Sequence, residues 1–311
     1  MKKATRVLSL TMAAAMAAGV LGGCSSSAQG GTASTADTSS AASTTASSAD
    51  SGNVIRVGVV CSMTGGSAIY GEGAQNAVDM AVEEINSGDS GYTVEIVNGG
   101  KVADDAKDAK QAMNAYNKVM ADSPAAIVGS FFSSVTLPMA TQAANDGMLL
   151  LATGATNVDV TQKGSTIFRN CFIDPYQGKM AALFVKSKGF SKVAVIYDKD
   201  DDSSEDPAPA VQNFVQKYTE KYGTESLNAC AALYYDAIYM LLQAAENGGG
   251  TDTASLVKGM TGMEFTGVGG KIKLDENGEA IKSIAFNTFV DGKVKWSETL
   301  DSDGNLVSSA E

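Results

Sequence analysis

The chain has 311 residues and no histidine. That absence removes Ser-His and Cys-His nucleophile pairs, imidazole acid–base work and the usual histidine zinc sites. Basic residues are also scarce: 23 Lys and Arg against 35 Asp and Glu leave a net charge of −12. The positive face that nucleic acid or an anionic membrane surface requires is therefore not expected. There are four cysteines and no Cys-x-x-Cys pair, so a disulfide scaffold is not indicated. No Gly-x4-Gly-Lys-Ser/Thr phosphate loop occurs either. What is present is ordinary globular material, 44% apolar and 19% charged, long enough for two domains. The chain reads as a non-enzyme with no cofactor, no metal and no catalytic residues.

Residues 1–24 read as an export signal. Lys2, Lys3 and Arg6 give a positive start, and residues 7–21 form an apolar stretch interrupted only by Ser9 and Thr11. A spanning helix needs ~20 apolar residues, so this stretch has signal-peptide length instead. It ends in Leu21-Gly-Gly-Cys24, which resembles a bacterial lipobox. The resemblance implies cleavage before Cys24 and a diacylglycerol on its sulfur. Residues 25–51 are almost pure Ser, Thr, Ala and Gly, too poor in apolar groups to fold, and read as a flexible tether. Leader and tether together predict an extracytoplasmic protein held at the membrane by lipidated Cys24. Cys61, Cys171 and Cys230 read as small buried residues.

From residue 54 onward, strand and helix patterns alternate. Strands are predicted at 54–61, 92–97, 125–129, 148–151, 167–171 and 192–197. Helices are predicted at 71–86, 104–120, 134–145 and 175–188. This alternation specifies an α/β chain with a doubly wound parallel sheet. After Tyr197 the pattern stops. An acidic run at 198–207 leads into helices at 209–222 and 226–246, a short helix beyond Gly250, and strands near 271–274, 283–290 and 293–296. Asp291-Gly292 suits a two-residue hairpin turn.

Two loops carry the chemistry. The strand at 125–129 runs into Gly-Ser-Phe-Phe-Ser-Ser-Val-Thr-Leu-Pro at 129–138, with Ser133 and Ser134 where an N-cap belongs and Pro138 near the first turn. Free N–H groups and hydroxyls beyond the carboxyl end of a parallel sheet favour an anion such as a carboxylate. The next strand runs into Thr153-Gly154-Ala155-Thr156, a second hydroxyl-bearing loop. Neighbouring parallel strands lie ~5 Å apart, which lets the two loops share one small ligand. Other segments offer less. Gly71-Glu-Gly-Ala-Gln-Asn76 lacks the third glycine of a dinucleotide loop and lies some way from the strand end. The acidic run at 198–206 lacks EF-hand spacing and reads as a solvated loop, and Asp275-Glu-Asn-Gly278 as a turn.

These residues resemble a family. Ile55-Arg-Val-Gly-Val60, Ser62-Met-Thr-Gly65 and Tyr70-Gly71 are similar to bacterial extracellular solute-binding lipoproteins of ABC transporters, of the leucine/isoleucine/valine-binding type. So are the loops at 129–138 and 153–156, the segment from Phe168 to Gly178, Val193–Asp198, Asp206–Phe214, Tyr234–Ile238, Phe265–Gly267 and Lys271–Asp275. The resemblance implies a type I periplasmic-binding-protein-like fold: two doubly wound parallel-sheet lobes closing on a small amino-acid ligand, with ABC permease subunits as partners. It implies that Ser133, Gly154 and Thr156 take the ligand carboxylate and part of its ammonium, with Ser134 and Ala155 in the same loops. Tyr70 would line the cleft, with Tyr176 beside it. The first lobe would comprise 52–172 plus 225–282, and a remnant of the second 173–224 plus 283–311.

The family carries further strand–helix units where this chain joins residue 202 directly to 203. At ~30 residues per unit, part of the second lobe is absent. A sensory module reporting to a signalling partner, or an internally truncated, binding-impaired paralogue, therefore stand as alternatives. Replacing Cys24 with serine should move the protein from the membrane fraction to the soluble fraction and abolish its labelling by radioactive fatty acid; retention in the membrane would refute the anchor.

Overall fold

The computed structural model describes residues 53–192 and 207–310. The leader, Cys24, the tether, nearly all of the strand expected at 192–197 and the acidic run at 198–206 lie outside the described residues. Strand β1 (Val54–Cys61) occupies the middle of a sheet because its run Val-Ile-Arg-Val-Gly-Val-Val-Cys is apolar on both sides. It pairs in parallel with β2 (Thr93–Ile96) on one flank, β4 (Ala126–Val128) on the other, and the two-residue β3 (Ala103–Asp104) beyond the end of β2. β5 (Leu149–Ala152) and β6 (Ile167–Arg169) continue the parallel sheet, giving the order β2-β1-β4-β5-β6.

The two-residue period of these strands divides the core between two faces. Ile55, Val57, Val59, Leu149 and Leu151 pack under helices α1 (Ala68–Ser87), α6 (Ala229–Gly248) and α7 (Thr253–Met260). Val60, Ile127, Leu150 and Ala152 turn to the opposite face, where α2 (Ala109–Met120) and α3 (Ser133–Asp146) supply Tyr116, Val119, Met139 and Ala143. Helices on both faces of a parallel sheet make this a doubly wound α/β layer, as expected. α2 starts later than the periodicity suggests. Asp108 is its N-cap, accepting from the N–H groups of Lys110 and Gln111. Asp104 and Asp105 are committed upstream, where Asp104 accepts from Met63 N–H at 2.8 Å and buried Asp105 from the Ser62 hydroxyl at 2.5 Å.

Between β6 and α6 lie α4 (Asp174–Ser187) and α5 (Pro209–Tyr222). The chain ends in two antiparallel sheets, β7-β8-β9 (Glu264–Gly267, Gly270–Leu274, Ala280–Lys282) and β10-β11-β12 (Ile284–Val290, Lys293–Leu300, Leu306–Ser309). Asp291 and Gly292, both at positive φ (52° and 75°), make the hairpin turn between β10 and β11. Strands β7, β9 and β12 were not anticipated; each is only three or four residues long. α4 packs on the last sheet, stacking Phe184 on Phe286 with centroids 4.3 Å apart. Much of that sheet is uncovered: Phe289 is 77% exposed and Val307 61%.

α5 sits elsewhere than the proposed lobe boundary would put it. Its Phe214 and Tyr218 are buried against Ala77 and Met80 of α1 and Ala231 of α6, helices that the expected boundaries assign to the first lobe. Lys217 reaches Glu84 of α1 at 2.8 Å, and Glu84 also accepts hydrogen bonds from Tyr235 and Tyr239. Burial pushes the Glu84 carboxyl up, but Lys217 and the two tyrosine hydroxyls outweigh it and hold it below the usual range. A lowered folded-state pKa means that the stabilisation is present above the ordinary glutamate value and lost as pH falls through the folded one. Glu84→Gln should therefore cost about 1 kcal/mol at pH 7, a figure already discounted for solvent screening. The gap to wild type in urea midpoint should narrow in acid; an equal gap at pH 7 and pH 4 would contradict the assignment.

Candidate functional site

β4 and β5 are hydrogen-bonded neighbours, with Val128 opposite Leu151, so the loops that follow them emerge at one edge of the sheet. The first loop leaves through Gly129, whose φ of 124° is outside the comfortable range of other residues. A Cβ there would lie 2.1 Å from the Val60 carbonyl oxygen, so the backbone can pass β1 only as glycine. Ser130 then turns inward and donates to buried Asp105, the carboxylate that also receives Ser62 and the Lys107 N–H. This anchor fixes the loop before the helix begins.

The helix starts one residue earlier than an N-cap role for Ser133 allows. Phe132 holds the cap position with no side-chain bond, and Pro138 lies inside the helix, past its first turn. Ser133 is therefore free for another partner: its Oγ accepts the Asn157 N–H at 3.2 Å. That bond joins the two loops directly. Ser134 is exposed.

The second loop is held from beneath by Arg169, which ends β6 and is fully buried. Its guanidinium donates to the Ala155 carbonyl at 2.6 Å, the Asn157 carbonyl at 2.9 Å and Glu279 Oε1 at 3.1 Å. Nε stands 2.8 Å from Glu279 Oε2, an ion pair rather than an aligned hydrogen bond. Ala155 itself is buried, its carbonyl turned to Arg169, while Gly154 and Thr156 face a cavity of about 700 Å³. Gly154 admits a neighbour that no other residue would: a Cβ would fall 2.3 Å from the ring of Phe131.

Phe131 lies between this cavity and Tyr70, with its ring stacked on the Tyr70 ring at 5.0 Å. Gly154, Thr156 and Phe131 border the cavity; Ser133 meets the second loop through Asn157 and Tyr70 stacks on Phe131, but neither of these two is among the residues lining it. Tyr176 is turned away, donating to the Lys282 carbonyl where β9 leads into β10. Sequence reasoning passed over Phe131, Phe172, Arg169 and Lys282. The first three lie inside segments already singled out, and their aromatic and cationic character was the available signal. Lys282 ends a three-residue strand with no pattern to mark it, yet it is only 7% exposed and lines the cavity. Burial pushes its ammonium down from the ordinary lysine range, against the pull of Asp236 and Cys171. Asp236 on α6 is 1% exposed and accepts the N–H groups of Val268 and Gly269 at 2.8 and 2.7 Å; burial nevertheless pushes its carboxyl up to about 6.

A family model described as periplasmic binding protein matches residues 54–208 and 202–293. The chain belongs to the periplasmic binding protein family. Over 151 residues it is 36% identical to Leu/Ile/Val-binding protein homolog 1 of Brucella abortus (strain 2308), a match covering 47% of this chain and 39% of that protein. The chain therefore spans about two fifths of the length of such curated relatives. Among solved structures, the leucine-binding protein LivK of Thermotoga maritima superposes with a TM-score of 0.65 at 23% identity, covering 80% of this chain and 99% of that one. A solute-binding protein of an ABC transporter from Rhodopseudomonas palustris BisB5, in complex with 3,4-dihydroxybenzoic acid, gives a TM-score of 0.65 at 16% identity, covering 80% and 98%. At these identities the solved structures establish the fold, which is that of type I periplasmic binding proteins.

Removing Arg169 would leave Glu279 without its ion pair and take the shortest donor from each of two loop carbonyls, Ala155 and Asn157. Arg169→Met should cost about 3–5 kcal/mol in chemical unfolding, the usual scale for breaking a buried pair from one side. A loss below 1 kcal/mol would mean the guanidinium does not hold the loop.

Proposed function

We propose that the protein is the extracytoplasmic solute-binding component of an ABC importer, taking a small carboxylate-bearing solute at the sheet edge formed by Ser133, Gly154 and Thr156. The solute is a branched-chain amino acid or an acid of similar size. The observation that carries this reading is the juxtaposition of two loops after adjacent parallel strands, joined by the Asn157 N–H to Ser133 Oγ and opening on one cavity. Backbone N–H groups and hydroxyls at such an edge suit a carboxylate, and an adjacent apolar cavity suits the remainder of the solute. The kinship with Leu/Ile/Val-binding protein homologues supports an amino-acid-sized ligand, and the structural neighbour holding a dihydroxybenzoic acid supports aromatic acids as a related class. Capture and release need no bond chemistry, so no catalytic residue is assigned. Permease subunits would be the partners, and the membrane would be reached through lipidated Cys24.

A second reading concerns completeness. The uncovered β10-β11-β12 sheet, with Phe289 and Val307 open to solvent, supports a second lobe that lacks internal strand–helix units. The family model matching in two pieces that meet near residue 205 supports the same reading. Such a chain would bind more weakly than a complete relative, because one wall of the cleft would be short.

Isothermal titration of the full chain with the aliphatic amino acids, their 2-oxo analogues and benzoates tests the proposal. At least one should bind, and Ser133→Ala and Thr156→Ala should each weaken it tenfold or more without shifting the unfolding midpoint by more than a few degrees. Silence across the whole panel, or binding indifferent to both substitutions, would remove the site.

A further inference from the structure

A buried lysine facing a cavity needs a reason. Lys282 Nζ makes no salt bridge or side-chain hydrogen bond among the described residues, and its nearest ring, Phe172, lies 6.0 Å from it. Asp236 is near enough to be felt, but its carboxylate is spent on two backbone N–H groups and does not line this cavity. The ammonium therefore keeps open donors toward the cavity that Gly154 and Thr156 also border. A buried ammonium whose neighbouring carboxylate is already held by two backbone N–H groups is only partly compensated, so a ligand that brings a further carboxylate recovers part of the cost.

The rest of the lining selects against a second positive charge. Among the described residues around the cavity there is no aspartate or glutamate, and Lys282 is the sole charged side chain. A zwitterionic amino acid would place its carboxylate well but would bury an ammonium near Lys282 with only carbonyls and hydroxyls to receive it. Like charges brought together in a poorly solvated space are a standard means of rejecting one of two similar ligands. Phe131 and Phe172 offer apolar faces to the remainder of the solute.

We propose that Lys282 is a specificity-determining residue that makes the site select small carboxylates lacking an α-ammonium, such as branched 2-oxo acids or aromatic acids, over the corresponding amino acids. This rests on the solute-binding reading above and narrows its ligand class. The carboxylate is shared between the Lys282 ammonium and the hydroxyl-bearing loops, while the aliphatic or aromatic part lies between the two phenylalanine rings.

The test uses the full chain in detergent, titrated with leucine, 4-methyl-2-oxopentanoate and benzoate. At least one of the two simple acids should bind ten times more tightly than leucine or better. Lys282→Met, close to lysine in volume, should weaken that acid tenfold or more while keeping the circular dichroism spectrum, and Lys282→Arg should retain most of the affinity. Leucine binding as tightly as its 2-oxo analogue and benzoate, or acid binding unchanged in a folded Lys282→Met, overturns the proposal while leaving the solute-binding reading in place. Failure of the wider amino-acid and acid panel would instead remove that reading itself. Because the ligand comparison is made on the wild-type chain, it decides the matter even where Lys282→Met does not fold.

Discussion

The arrangement at the sheet edge depends on one buried guanidinium. Arg169 sits under the second loop with no exposure to solvent, and its donors go to the Ala155 and Asn157 carbonyls and to Glu279. A loop at the end of a parallel strand has carbonyls pointing in several directions, and those turned inward must find donors. Arginine supplies several from one planar group, which a lysine could not do. The consequence reaches beyond the loop. Glu279 follows the turn between β8 and β9, and the Arg169 backbone N–H also donates to the Gly278 carbonyl at 3.0 Å, so the β7-β8-β9 sheet is fastened to β6 at the same point. Loop position and sheet docking are thus one constraint.

The first loop has a matching support of opposite charge. Asp105 is buried and gathers the Ser62 and Ser130 hydroxyls with the Lys107 N–H, so a carboxylate holds three donors below the loop as the guanidinium holds acceptors below its neighbour. Tyr234 closes the arrangement from the helical face, donating to the Val60 carbonyl at 2.6 Å beside Gly129. With both loops fixed from beneath, their upper surfaces can present hydroxyls and N–H groups to a cavity without prior rearrangement. Such preorganisation saves ordering entropy when a solute binds.

The parallel sheet and its two helical layers were legible because each strand is a short apolar run and each helix carries a 3.6-residue pattern; even the shared edge of the two loops follows from consecutive strands being neighbours. That Ser133 and the Gly154–Thr156 segment lie at that edge was legible for the same reason. The role of Ser133 was not. A serine before a helical pattern reads as a cap, but Asn157, a residue distant in sequence, claims its oxygen. Arg169 and Lys282 were hidden by a more general difficulty: buried cations follow no periodicity, and the carboxylate that Arg169 pairs with lies 110 residues away. α5 illustrates another limit. Its sequence position suggested the second lobe, whereas Phe214 and Tyr218 are buried against α1 and α6 and Lys217 pairs with Glu84 of α1.

The C-terminal sheet sets the terms on which the cavity can work. In a two-lobed binding protein the ligand is enclosed when opposing walls approach, and the energy of closure comes from contacts made by both. Here the wall opposite the loops includes Ile284, Ala285 and Asn287 of β10 and Val307 of β12, while other residues of the same small sheet, Phe289 above all, remain in water. A sheet of three strands with one face partly covered by α4 has little apolar burial of its own to hold it rigid. The bond from the Tyr176 hydroxyl of α4 to the Lys282 carbonyl, between β9 and β10, therefore matters twice. The same residue whose backbone fixes the start of β10 carries the one charged side chain that lines the cavity among the described residues, so the position of that strand and the position of the ammonium are linked.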